Sequence, residues 1–108
     1  MKFAALLLAL ASGAAQAQFW SGNDLLQKIN GSADDMIWAL GYVSGVADAG
    51  QNRDFCIPSG VRVSQVRDMV RDSLQRSPEY RHLDASIFVT LRLVNQWPCK
   101  KKQKGTDL

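Results

Sequence analysis

One histidine, His82, and two cysteines, Cys56 and Cys99, are the only imidazole and sulfhydryl side chains of this 108-residue chain. A structural zinc site wants about four ligands of this kind, so metal binding is not expected. No glycine-rich phosphate cradle and no G-x-S-x-G elbow appears. A Cys56–His82 dyad would need Cys56 to remain a thiolate. These gaps leave no expected catalytic residue, no cofactor and no metal. Strands are equally poorly represented, because stretches of strict apolar and polar alternation are almost missing.

The longest apolar run, Phe3 to Ala11, falls well short of the roughly 20 residues that cross a bilayer. It follows Lys2 and leads into small residues ending at Ala15 and Ala17, which is the layout of a cleavable secretory signal. Residues 1–17 are therefore expected to be removed, with Gln18 as the mature start and the periplasm as the destination. No cysteine follows the run to carry a lipid anchor, and no membrane insertion is expected after cleavage. A chain of this size buries only about 60 to 65% of its unfolded surface, so a covalent cross-link matters to it. Two cysteines exported to an oxidising compartment pair by default, and Cys56–Cys99 closes a loop of about 40 residues. Such pairing also removes the thiol that a dyad would require.

What the sequence does contain is helical spacing, read here as an all-α bundle of about four helices stapled by that disulfide. Ser21 or Asn23 can cap a first short helix through Ile29, with Leu25, Leu26 and Ile29 on its apolar side. Ser32 and Asp35 form a capping pair for a second helix running to about Ala49, with Met36, Leu40, Val43 and Ala47 on one face. Gly41 and Gly45 share another face of it. Each costs roughly 1 kcal/mol against alanine in a helix, which suggests close approach by another backbone, within the domain or across a dimer seam.

Pro58 and Gly60 then turn the chain into a third helix, expected to be capped by Ser64 and to bury Val66, Met69, Val70 and Leu74. Its other face carries Arg67, Asp68, Arg71 and Asp72, the pattern of a solvated surface. Ser77 and Pro78 restart the chain, and from Asp84 a fourth helix presents Ile87, Phe88, Leu91 and Val94 before Trp97 and Pro98 end it. The closing segment, residues 100–108, holds Lys100, Lys101, Lys102 and Lys104 without interleaved aromatics. It reads as a basic flexible tail and not as a nucleic-acid binder.

The ordered set of short motifs "GNDLL", "GYVSGVADA", "FCIPSGV", "RDSLQRSPEYRHLDAS" and "NQWPC" resembles the Rap/Tai family of periplasmic immunity proteins. The resemblance covers nearly all of the expected mature domain, residues 18–99. It implies a small helical bundle, often homodimeric, that inhibits a type VI secretion peptidoglycan amidase by pushing a loop into its active-site cleft. On that reading Gln51, Asn52, Arg53 and Asp54, in a polar loop held by the Cys56–Cys99 bridge, are the candidate partner-binding residues, and the turn from Ser77 to His82 is the rival. Many relatives carry a second bridge between the first two helices. Here the corresponding neighbourhoods, around Lys28 and Ala39, have no cysteine.

Bulk properties leave a second class open. Small exported helical proteins with one disulfide include acid-stress chaperones of the HdeA type, and ten carboxylates would raise the positive charge of this chain on protonation.

Overall fold

Among the described residues four helices and a short 3-10 turn follow one another: α1 (Gly22–Ile29), α2 (Ala33–Gly50), α3 (Val63–Arg76), the turn Pro78–Tyr80, and α4 (Ala85–Gln96). The structure, a computed structural model, describes residues 19–100. The expected signal segment and mature start lie outside the described residues, as does the tail beyond Lys100.

The first two helices start where their side chains satisfy free backbone donors. Ser21 Oγ accepts from the Asp24 N–H at 3.2 Å, and Asp24 Oδ2 accepts from the Ser21 N–H at 3.0 Å. The same reciprocal box joins Ser32 to Asp35. Asp35 is also held by Lys28, whose Nζ donates to Oδ1 at 3.1 Å and ties the end of α1 to the start of α2. The Lys28 hydrogen bond, together with the Ser32 backbone N–H, keeps the Asp35 carboxyl below its ordinary range. Its contribution is therefore present at neutral pH and is lost as the pH falls through the carboxylate range.

The start of α3 differs from expectation: Arg62, not Ser64, is its N-cap. The Arg62 N–H donates to Gln65 Oε1 at 2.8 Å, so the acceptor comes from the third helical residue and not from the cap itself. The chain reaches that point through Gly60, whose φ of +92° is open to glycine and costly for other residues.

The core is one layer of side chains between the helices. Leu25 and Ile29 enter from α1, Ala39 and Val43 from α2, Val66, Val70 and Leu74 from α3, and Ala85, Val89 and Leu93 from α4. Phe55, from the loop after α2, fills the remaining space and is completely buried. For α3 this is the expected stripe, with Met69 half-buried at its margin.

Two helices are rotated from their expected facing. On α2 the buried line runs through Ala39, Val43 and Gly50, leaving Met36 and Leu40 half-buried. On α4 half of the expected apolar set is turned outward: Ala85, Val89 and Leu93 are inside and Phe88 and Val94 pack half-buried at the core's margin, while Ile87 and Leu91 are exposed. Both stripes on α4 have helical spacing. What decides between them is where the helix is pinned. The Ala85 N–H donates to the Trp20 carbonyl at 2.8 Å, and the Gly22 N–H donates to the Leu83 carbonyl at 2.8 Å. This double tie to the start of α1 sets the rotation of α4.

Gly41 and Gly45 do not serve a close approach among the described residues, since a Cβ built on either meets nothing of them within 4 Å. They lie on an outward face of α2 beside Ile37 and Trp38, which are 68% and 65% exposed. Trp38 also borders an aromatic cluster. Its ring centroid lies 5.8 Å from that of Trp20, and Trp20 stacks on Tyr42 at 5.1 Å. Burial raises the Tyr42 phenol above its ordinary value, and hydrogen bonding at Ser86 opposes the rise.

The Cys56–Cys99 bridge forms as expected, joining positions 43 residues apart with their Cα atoms 4.9 Å from each other. It links the loop after α2 to the end of α4. Beside it the Cys56 N–H donates to the Trp97 carbonyl at 2.8 Å, so a backbone bond duplicates the covalent tie.

Candidate partner-binding loop

The loop after α2 is built around one carbonyl. Gly50 O accepts from the Arg53, Asp54 and Phe55 N–H groups at 3.1, 2.9 and 3.5 Å, which folds residues 50–55 into a tight turn. Asn52 closes it with φ +64°, a left-handed conformation that asparagine tolerates better than most side chains. Its N–H donates to the Phe55 carbonyl at 2.8 Å. Gly50 has no room for a side chain, because a Cβ there would lie 2.5 Å from Phe55 Cε2. The loop is thus anchored from below by a core aromatic and from its C-terminal end by the disulfide.

The four candidate residues have unequal positions in this geometry. Gln51 faces inward along the loop: its Nε2 donates to the Ile57 carbonyl at 2.8 Å, and its Oε1 accepts from the Ile57 N–H at 2.9 Å. Both ends of the amide are thereby used to clamp the loop base, leaving contact with a partner to its neighbours. Asn52, Arg53 and Asp54 form the exposed tip. Arg53 Nη2 lies 3.2 Å from Asp54 Oδ2, with the arginine side chain 72% exposed. An ion pair that open to water adds little stability, about 0 to 1 kcal/mol, so these charges remain available for an external contact.

Beside the loop is a cavity of about 480 Å³, bounded by Ser44, Asp48, Gln51, Pro58, Val61 and Val66. Sequence reasoning did not find it, because it arises where the 57–63 segment crosses the C-terminal half of α2. The rival turn lies elsewhere on the surface, with Glu79, Tyr80 and His82 exposed. It is not brought together with the 51–54 tip.

No thiolate is available at the site, since both cysteines are in the bridge. Among the described residues no group of three or more His, Cys, Asp or Glu is placed to hold a metal, and no helix is long and apolar enough to cross a membrane.

These features define a class: a small all-α domain, stapled by one disulfide, that presents a stiff polar loop. A family model described as Rap1a immunity proteins matches residues 21–99, and the chain belongs to that family. Its role is accordingly that of an immunity protein, which acts by binding a cognate effector. A search of curated proteins finds no match to the chain.

Proposed function

We propose that this chain is a non-catalytic periplasmic inhibitor of a type VI secretion peptidoglycan amidase, acting after removal of residues 1–17, and that Asn52, Arg53 and Asp54 contact the enzyme while Gln51 holds their loop in shape. The family match over residues 21–99 carries the reading. The loop geometry supports the choice of contact element, because a tip already ordered by Phe55, Gly50 and the disulfide loses little conformational entropy on docking.

The test is an inhibition titration against an amidase encoded beside this gene, with hydrolysis of a peptidoglycan tetrapeptide as the readout. Arg53→Ala and Asp54→Ala are each expected to weaken inhibition by tenfold or more, since charged contacts at a buried interface are worth about 2 to 5 kcal/mol. Their melting temperatures should match wild type. Unchanged inhibition by both variants would show that the wrong loop has been chosen. Failure of wild-type protein to inhibit, combined with suppression of client aggregation only below about pH 3, would favour the acid-stress chaperone.

The same proposal includes a homodimer, with the outward face of α2 as its seam. Gly41 and Gly45 cost helix stability and have no packing neighbour among the described residues, while Ile37 and Trp38 stand exposed next to them. A second copy laid on this face gives the small residues a use, as close approach of backbones needs them. The Gly41→Ala, Gly45→Ala double variant is then expected to do two opposite things. At low concentration its isolated fold gains up to about 2 kcal/mol from helix propensity, while its dimerisation weakens. Thermal melts at low concentration and sedimentation over a concentration series separate the two. A variant that associates as wild type would remove the seam from this face.

A further inference from the structure

A groove runs between α4, the end of α3 and the 3-10 turn, away from the 51–54 tip and enclosing about 370 Å³. Its apolar lining comes from Tyr80, Leu83, Phe88 and Leu91, with Arg92 and Asn95 on one rim. Tyr80 and Leu91 are 54% and 55% exposed, an unusual outlay of large apolar side chains for a domain whose core is so small.

Arg92 sets the chemistry of the occupant. Its Nε donates to Ser73 Oγ at 2.7 Å and its Nη1 donates to Gln96 Oε1 at 3.1 Å. Both partners are neutral. Arg53, Arg67, Arg71 and Arg76 all sit against aspartates, whereas none of the ion pairs among the described residues involves Arg92. Among the described residues no carboxylate lines the groove. The result is a guanidinium held in place by two hydrogen bonds, beside an apolar slot, with no ion-pair partner among the described residues. Such a group is pre-positioned for a carboxylate, and tyrosine and arginine are the side chains that most often anchor protein interfaces.

We infer that the Tyr80–Leu91 groove is a second docking site for the effector, and that it takes a peptide segment in which an acidic side chain adjoins an apolar one. The apolar side chain enters between Tyr80 and Leu91 and the carboxylate meets Arg92. The chain's own tail, residues 100–108, is net basic, with four lysines to one aspartate, Asp107. This inference rests on the immunity reading for the identity of the partner but not for the chemistry of the groove, and two arms of the experiment separate them.

In the first arm the mature protein is titrated by NMR with the peptide acetyl-Leu-Asp-Leu-amide and with its acetyl-Leu-Asn-Leu-amide counterpart. The acidic peptide is expected to shift the Tyr80, Leu91 and Arg92 resonances, with binding roughly tenfold weaker for the asparagine peptide and for Arg92→Gln. In the second arm Leu91→Ser and Arg92→Gln are assayed in the amidase titration, where each should weaken inhibition roughly tenfold at an unchanged melting temperature. If the wild type inhibits no amidase while the acidic peptide binds in the groove, the amidase reading falls and the groove stands. The inference is overturned if both peptides bind alike or leave the groove untouched, if both variants inhibit as wild type, or if Leu91→Ser abolishes self-association, which would assign the groove to a second copy.

Discussion

Phe55→Ala is expected to destabilise the protein by about 3 to 5 kcal/mol, the usual cost of deleting a fully buried aromatic ring. Phe55 is the largest side chain that is completely inaccessible, and it reaches the core from a loop, so no neighbouring turn of helix can slide in to fill the hole. In a domain of this size each 1 kcal/mol corresponds to about 4 to 8 °C, which makes a fall of more than about 12 °C the expected thermal result. The substitution should also loosen the partner-binding tip, because Gly50, whose carbonyl organises the loop, packs directly against the Phe55 ring. Urea unfolding measures the first effect, and hydrogen exchange at the Arg53 and Asp54 amides measures the second. A loss below about 1 kcal/mol would mean that Phe55 does not carry the packing assigned to it.

Opening the disulfide should rank next. Cys56→Ser and Cys99→Ser each release a loop spanning 43 residues, for which the chain-entropy account gives about 4 kcal/mol. Either substitution breaks the same constraint, so the double variant is expected to be no less stable than the worse single one, a non-additivity that marks a shared interaction. The Cys56 N–H to Trp97 carbonyl bond survives all three changes and keeps the two segments adjacent while the protein is folded. Denaturant midpoints with and without reductant check this, since reduced wild type should behave like the variants. Equal stability of oxidised and reduced protein would show that the bridge constrains nothing in the unfolded chain.

How legible the fold was depends on the range over which each feature is encoded. The Ser32–Asp35 box, the Pro58–Gly60 turn, the boundaries of α2 and α4 and the α3 stripe were readable because each is settled within a few residues by hydrogen bonding or by helical period. The cap of α3 was misplaced at Ser64 because a side-chain acceptor can come from either end of a first turn, and Gln65 supplied it to Arg62. The candidate loop was visible as a polar stretch before Cys56, but the separate duty of Gln51 was not. Its amide finds Ile57 only once the turn at Gly50 has folded the two together.

By itself the sequence determined that this is an all-α chain, that its two cysteines form one pair if oxidised, and where the family resemblance lies. Local spacing and a cysteine count of two are enough for that. Tertiary structure alone decided which stripe of α4 faces inward, that the α2 glycines look outward, and that a groove opens beside Arg92. Period 3.6 tells which residues share a face of a helix, not which face is inside when two faces are apolar. On α4 that choice was made by the ties from Ala85 to Trp20 and from Leu83 to Gly22, contacts between segments about sixty residues apart that no local pattern encodes.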